Sequence, residues 1–262
     1  MAIERWAIRD AGIAHFFNIE TGQLKASLPT LKTAGIEFSG ETVYARGGLG
    51  NPKLVGFSGN REGSIALQDA IFDNKALAML TGNDPAVAVA QVDVNEVVVV
   101  GTSAATIKNT PIGTLVGVYG YNPGTGSASS VEYTEGAPVS NELEYSLSGK
   151  EITFNDAVAD GTQIMVYYIA ETDNQATSIK VTSDKFGGTF RFALDCQVVD
   201  QVSQKVYKAQ VRVPVAKFED NFSFNLSVDG DPAVLDLNLE VLKSPASTDM
   251  YTMVIYDEET LA

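Results

Sequence analysis

The sequence has few of the residues on which enzymes depend for chemistry. Its 262 residues include one histidine, His15, and one cysteine, Cys196. A Ser-His-Asp triad needs a histidine beside a nucleophile and an acid, and a zinc site usually needs several histidine or cysteine ligands. One residue of each kind excludes nearly all such sites and any intramolecular disulfide. We expect His15 to pack near Phe16 and Phe17 in a strand, and Cys196 to be a buried, inert thiol.

Basic charge is also scarce. Lysine and arginine total 18 against 33 acidic residues, which gives a net charge of −15. Affinity for phosphates comes mostly from basic side chains that displace counterions, so the balance disfavours direct binding to nucleic acid, although acidic balances are common in ordinary soluble proteins. The sequence contains no run of about 18 apolar residues, which is the length needed to span a membrane. Charged residues in "MAIERWAIRDAG" argue against a signal peptide, so we expect a soluble chain whose mature form starts there.

The remaining motifs have ordinary structural explanations. Two facing carboxylates would suffice for a glycosidase, but most acids lie in predicted turns or on polar strand faces. "DGDP" (229–232) and "ETDN" (171–174) lack the spacing of a calcium loop, and "GGLGNP" (47–52) opens no helix that could bind a phosphate. The glycosylation patterns at Asn221 and Asn225 lie in a predicted strand, so they are chance matches. We expect no catalytic residue, metal or cofactor.

Alternation of apolar and polar residues predicts strands along most of the chain. In "FNLSVDGDPAVLDLNLEVL" (224–242), two alternating runs flank a turn signal and predict an antiparallel hairpin. "TFRFALDCQVV" (189–199), "KVYKAQVRVPV" (205–215) and "MYTMVIY" (250–256) are also predicted strands. Pro214 favours an edge position or a bulge, because proline cannot donate to the ladder. The predicted inward positions of the first hairpin are Phe222, Phe224, Leu226, Val228, Leu235, Leu237, Leu239 and Val241.

A second, longer hairpin is predicted near the N-terminus. "IEFSGETVY" (36–44) is its outgoing strand, "ARGGLGNPKLVGFSGN" (45–60) a flexible loop and "REGSIALQDA" (61–70) its return strand. One face of the outgoing strand carries Ile36, Phe38 and Tyr44, and the other carries Glu37, Ser39 and Glu41. "DNKALAMLTGN" (73–83) predicts one short helix, with Asp73 or Asn74 as N-cap and Gly82 at its end.

The middle of the chain changes character. From residue 91 to 175 short strands are broken by glycine, proline, serine and asparagine, in a pattern that resembles a small immunoglobulin-like sandwich. Polar stretches on both sides, "TGNDPAVA" and "ETDNQAT", are typical of domain boundaries. The expected fold is therefore mainly β: a β-sandwich formed by residues 1–90 and 176–262, with a long hairpin and one short α-helix, and an inserted immunoglobulin-like β-sandwich at 91–175.

Outside this insertion the chain resembles the major tail tube protein of long-tailed bacteriophages. The resemblance rests on "TLKTAGIEFSGETVYARGGLGNPKLVGFSGNREGSIALQDAIFDNKALAMLTGN" and "KVYKAQVRVPVAKFEDNFSFNLSVDGDPAVLDLNLEVLK". The insertion resembles the immunoglobulin-like modules that decorate phage tails, most clearly in "GKEITFNDAVADGTQIMVYY". These motifs are patterns of strand, loop and helix and contain no catalytic residues.

The resemblance implies a structural virion protein that assembles in the bacterial host cytoplasm into hexameric rings, which stack into the tail tube. Hairpins from the subunits would form a barrel around a channel that conducts DNA during ejection without binding it specifically. Tape measure, tail terminator and baseplate proteins are implied as partners, and no membrane is. Glu37, Ser39 and Glu41 are the predicted channel lining. The predicted contacts between rings lie at the hairpin tip: Arg46, Gly47, Gly48, Gly50, Asn51 and Lys53.

Two other functions remain open from the sequence. A capsid decoration protein, or another protein of the virion shell, would share the acidic, β-rich composition but would give discs or bind shells. A carbohydrate-binding adhesin could stack sugars on exposed aromatic side chains, and the candidates are Trp6, Tyr119, Tyr121 and Tyr133. Neither alternative requires catalytic residues.

Overall fold

The alternation seen in the sequence produces extended strands along most of the protein. The computed structural model describes residues 3–139, 142–221 and 233–260, which form a mainly β fold with a single α-helix, as predicted. The chain divides into two compact units. Unit 1 comprises Met1–Pro85 with Ile179–Ala262, and unit 2 comprises Ala86–Ser178.

The strands and the helix are numbered in chain order. Those of unit 1 are β1 (Trp6–Ile8), β2 (Ile13–Phe17), β3 (Leu24–Leu28), β4 (Leu31–Arg46), β5 (Lys53–Asp69), α1 (Asn74–Thr81), β15 (Thr189–Asp200), β16 (Val206–Phe218), β17 (Leu235–Val241) and β18 (Thr252–Tyr256). Those of unit 2 are β6 (Ala86–Val87), β7 (Gln91–Val99), β8 (Ala104–Thr106), β9 (Gly117–Asn122), β10 (Ser127–Glu135), β11 (Glu144–Ser148), β12 (Glu151–Phe154), β13 (Gln163–Glu171) and β14 (Thr177–Ser178).

Unit 1 is built on one nine-stranded sheet in the order β3-β2-β15-β16-β17-β5-β4, with β1 also paired to β15 and β18 to β16. Its core is centred on three phenylalanines, with the ring of Phe16 lying 5.5 Å from that of Phe192 and 5.3 Å from that of Phe218. The alternating residues of β17 complete the core, because Leu235, Leu237, Leu239 and Val241 are all buried. The inward positions predicted for β17 are therefore confirmed. The first strand of that predicted hairpin and its turn, residues 222–232, lie outside the described residues.

The helix α1 begins and ends where its capping residues predict. The Asp73 carboxylate accepts hydrogen bonds from the backbone N–H groups of Lys75 and Ala76, at 2.6 and 3.3 Å. Gly82 has a φ of 69°, and a Cβ there would lie 2.5 Å from the carbonyl oxygen of Phe186, so only glycine fits. The apolar side of the helix lies in the core of unit 1 and consists of Ala76, Leu77, Met79 and Leu80.

Pro214 lies at a bulge, as the sequence allowed. Phe192 pairs with Val213 and Phe190 with Ala216, so two residues of β16, Pro214 and Val215, oppose one residue of β15. β16 is not an edge strand: its other side pairs with β18 up to Arg212 and with β17 from Ala216 onward. Pro214 falls between these two pairings, where its missing N–H leaves no ladder position unfilled. The edge alternative is therefore wrong.

Unit 2 has its own sheet and its own core. Seven strands pair in the order β7-β13-β9-β10-β11-β12-β8, and the short strands β6 and β14 pair with each other. The core contains the fully buried Ile152, Ile164 and Val166. The buried Tyr168 donates a 2.7 Å hydrogen bond to Glu96, and burial raises the pKa of its phenol. A buried tyrosine with its hydroxyl satisfied stabilises one arrangement of these strands.

Candidate assembly surface

The longest hairpin of the protein is formed by β4 and β5, and we call residues 31–69 the arm. The two strands run antiparallel, from Leu31 opposite Asp69 to Arg46 opposite Lys53. The return strand therefore starts at Lys53, and the connecting loop comprises only residues 47–52. The sequence-based expectation of a flexible loop over 45–60 is wrong, because most of that segment pairs with β4. Residues 31–39 and 62–69 are the root of the arm, and residues 41–60 are the distal arm.

The root of the arm is fixed on the body of unit 1. Ile36 and Ile65 are paired, and both contact the core. The ring of Phe38 stacks on that of Tyr251, with centroids 4.6 Å apart and planes 24° from parallel. Gly63 lies beneath Phe38, and a Cβ there would come within 2.5 Å of the phenylalanine ring. Gly63 therefore makes room for the stacked pair that holds the root.

The distal arm packs on nothing in the described residues. Every residue from Ser39 to Glu62 except Gly47 is exposed. The outer edge of β4 has no partner strand in the described part of the chain, and β5 pairs with β17 only between Ser64 and Asp69. Both edges of the distal arm are thus unpaired, and both faces are in contact with solvent. An isolated two-stranded ribbon of this kind is only marginally stable in water.

The three predicted channel-lining residues share one face of the arm. Glu37, Ser39 and Glu41 are exposed and alternate along β4, and Glu62 lies opposite Ser39 on the same face. Sequence analysis missed Glu62, although its phase relative to Ile65 and Leu67 indicated the polar face. We call these four residues the acidic face. The side-chain amide of Asn60 donates a 2.7 Å hydrogen bond to Glu41.

The acidic face continues across the sheet. Ser64 pairs with Glu37 on one side and with Glu240 of β17 on the other, and Glu240 pairs with Lys217 of β16. Asp236 lies on the same side and accepts a 2.9 Å hydrogen bond from Gln68. Carboxylates therefore outnumber the cations on this surface, although Lys217 lies at its border and Arg61 lines the same groove as Glu37 and Glu240. This surface of unit 1 is therefore predominantly acidic.

The tip of the arm is a tight turn with basic residues on both sides. Arg46 ends β4 and Lys53 begins β5. Gly48, Gly50 and Asn51 have positive φ values of 84°, 83° and 50°, which the loop requires. The ammonium group of Lys53 lies 3.9 Å above the ring of Tyr44, a cation–π contact. All six predicted tip residues lie between these two strand ends or at them, and the side chain of Leu49 between them is fully exposed.

The histidine and the cysteine, which are potentially reactive residues, lie outside the arm and have contacts that explain them structurally. His15 lies in β2 opposite Ala193, and its Nε2 is 3.1 Å from the Asp195 carboxylate. Cys196 is buried with Val198, and both burial and the charges of nearby aspartates raise the pKa of its thiol. Within residues 3–139, 142–221 and 233–260, no group of three or more potential ligands is placed to hold a metal ion.

Two further observations concern membrane-spanning helices and the aromatic residues of the adhesin alternative. Among the described residues, no helix is long and apolar enough to cross a membrane. Of the four aromatic residues proposed to stack on sugars, Tyr133 is buried in the core of unit 2, in edge-to-face contact with Phe154. Its expected exposure is wrong. Tyr119 and Tyr121 are partly buried, and Trp6 lies in unit 1.

Comparison with models of protein families places the chain in a known family. The model of the YomU/Tube protein family matches residues 6–256, which is nearly the whole chain. The chain belongs to the YomU/Tube protein family. No curated protein matches it. Membership in the YomU/Tube family identifies a phage tube-type structural protein, a component of the virion tail, as the sequence resemblance implied.

Proposed function

We propose that this protein forms hexameric rings that stack into a phage tail tube, and that its acidic face lines a channel through which DNA passes during ejection. The observation that carries the proposal is the distal arm, which is exposed on both faces and unpaired on both edges. Free strand edges invite pairing with other chains, and closing a set of strands into a barrel removes them. Because both edges are free over the same residues, β4 of one copy can pair with β5 of the next.

The charge of the acidic face suits a conduit for DNA. Duplex DNA carries one negative charge per about 1.7 Å, and a channel lined by basic residues would hold it by counterion release. Glu37, Glu41 and Glu62 present carboxylates and make no ion pair with any described residue in the structure. Repeated around a ring, they would repel the DNA backbone from the wall. The channel would then conduct DNA without binding it.

The immunoglobulin-like insertion and the other tail partners belong to the same proposal. We propose that residues 91–175 form an inserted immunoglobulin-like module, which the seven-stranded sheet and separate core of unit 2 support. Tape measure, tail terminator and baseplate proteins would meet the tube, and assembly would take place in the host cytoplasm.

Electron microscopy of the purified full chain tests the assembly. At high concentration, negative staining should show tubes with a central channel. Discs, or binding to empty shells, would instead support a decoration protein. A chain that stays strictly monomeric while it binds glycans would support the adhesin.

Charge reversal tests the channel lining. The double variant Glu37→Lys with Glu41→Lys should still form tubes, because both side chains are exposed. It should impair DNA ejection from phage that carry it, because lysines facing the channel would hold the phosphate backbone. The matched control is Glu4→Lys with Glu20→Lys, which changes the charge equally at exposed positions away from the arm. Normal infectivity of the arm variant would contradict the lining.

A further inference from the structure

The two faces of the arm exchange polarity between its root and its distal part. On the face that carries Glu37, Ser39 and Glu41, the next two residues of β4 are Val43 and Ala45. Their partners on β5 are also apolar: Val43 lies opposite Phe57, and Ala45 lies opposite Val55. We call these four residues the apolar patch. It is therefore the direct continuation of the acidic face toward the tip.

The opposite face of the arm changes from apolar at the root to more polar in the distal arm. At the root it carries Ile36 and Phe38, which contact the core. In the distal arm it carries Thr42 opposite Ser58 and Tyr44 opposite Gly56, and the side chains of Thr42 and Tyr44 both lie over Gly56. The exchange coincides with a bulge, where Ser39 pairs with Glu62 but Glu41 pairs with Gly59. The extra residue in β5 keeps both strands in phase, so the change of polarity is a property of the sequence.

The apolar patch is unpacked in the single chain. Val43, Val55 and Phe57 expose 58%, 53% and 61% of their surface. Contiguous apolar patches on a water-exposed ribbon are typical of interaction sites. The acidic face is suited to a water-filled channel, whereas the apolar patch is suited to contact with protein. The arm therefore contains two functional segments, divided near Glu41.

A second copy of the chain is the occupant that the arm itself indicates. The tip carries two cations, Arg46 and Lys53. The root has a net negative charge, because it carries Glu37, Glu62 and Asp69 against Lys32, and Glu41 and Arg61 lie just beyond it. An arm with opposite charges at its two ends can meet another arm head to tail, and heterologous contacts of this kind build open-ended stacks. Pairing through strand edges within a ring leaves the faces of the arm uncovered. Two-stranded ribbons twist strongly, so the face that borders the channel at the root turns away from it toward the tip. The copy that can cover the patch there belongs to the adjacent ring.

We infer that the apolar patch is the contact between stacked rings, buried against a second copy of this chain, and that the channel lining ends at Glu41. This inference rests on the proposed function, since it requires rings that stack. It assigns the stacking contact to one face of the distal arm, beyond the tip residues named from the sequence. The tip cations would then lie near the acidic root of the next copy.

Thiol labelling can test this assignment in the intact chain. The native Cys196 is buried and its pKa is raised, so it should react slowly with a maleimide and provide a low background. Val43→Cys introduces a thiol into the patch, and Thr42→Cys introduces one at the adjacent residue on the opposite face. Both substitutions conserve size at exposed positions, so neither should disturb the fold. Val55→Cys is a second probe of the patch.

Labelling rates are compared between dilute monomer and assembled tubes. The Val43→Cys thiol should react about tenfold or more slowly in tubes than in the monomer, whereas the Thr42→Cys thiol should react at similar rates in both. Equal reactivity of Val43→Cys and Val55→Cys in both states would overturn the inference and leave the proposed function intact. Equal protection of both faces would also overturn it. Protection that requires another tail component would overturn the choice of a second copy. A wild-type chain that forms no tubes would overturn the proposed function itself.

Discussion

At the scale of single residues, the inward and outward positions of β17 decide whether unit 1 folds. Leu237 is fully buried and pairs with Leu67. Leu237→Asp should give insoluble or unfolded protein, because a buried, unpaired carboxylate costs several kcal/mol, and the whole stability of a domain is about 5–15 kcal/mol. The soluble fraction and thermal unfolding followed by circular dichroism measure the effect.

The control for this variant lies on the same strand. Asn238 follows Leu237, faces the other side of the sheet and is only partly buried. Asn238→Asp introduces the same carboxylate there and should change the free energy of unfolding by no more than about 0.5 kcal/mol. A Leu237→Asp protein with the melting temperature of the wild type would show that the inward assignment is wrong.

Gly63 has no side chain, and the space this leaves is filled by the ring of Phe38, which fixes the root of the arm. A Cβ at this position would meet the ring of Phe38 at 2.5 Å and the Cβ of Val241 at 3.0 Å. Gly63→Ala should therefore displace Phe38 from its stack on Tyr251 and destabilise unit 1 by about 1–3 kcal/mol, the usual range for overpacking. Chemical denaturation followed by circular dichroism measures the loss.

The matched control for Gly63 lies in the same strand. A Cβ at Gly59 would have no atom within 4 Å, so Gly59→Ala should not reduce stability. Equal stability of the two variants would mean that Phe38 is free to move and that the root is not fixed by this contact.

At the scale of elements, capping chemistry made α1 predictable. Asp73 is the N-cap that the sequence offered, and its carboxylate binds two backbone N–H groups. Asp73→Ala should cost about 1 kcal/mol of stability, since the two groups lose their partner. Asp73→Asn keeps an acceptor oxygen and should cost much less. Thermal unfolding of the two variants separates the outcomes, and an Asp73→Ala protein as stable as the wild type would mean that capping by this side chain contributes nothing.

The return strand of the arm shows what sequence patterning could not give. Residues 53–60, "KLVGFSGN", contain four adjacent apolar residues or glycines, from Leu54 to Phe57, and their pairing is interrupted by shifts of register near Leu54 and Arg61. Alternation is therefore weak, and the segment resembles a loop. Its extended conformation comes from pairing with β4, which sequence periodicity does not report. The division of the arm at Glu41 was missed for the same reason, since facing residues are known only once the register is known.

At the scale of the whole molecule, unit 2 is attached in a way that permits its removal. Its first and last strands, β6 and β14, pair antiparallel, with Val87 opposite Thr177, so the two ends of the unit lie side by side. Its core is formed entirely by its own residues. The arm belongs wholly to unit 1, and so does every residue of the proposed channel lining and stacking contact.

Deletion of Ala86–Ser178, with a short glycine-serine linker between Pro85 and Ile179, should therefore leave a folded protein that still forms tubes. Adjacent chain ends allow a short linker to close the gap with little loop-closure entropy. Circular dichroism reports folding of the shortened chain, and negative-stain microscopy reports assembly. A folded but monomeric product would show that unit 2 is required within the ring. An unfolded product would show that unit 1 depends on unit 2 for its stability. Tubes of unchanged channel width would place the assembly surface on unit 1 alone.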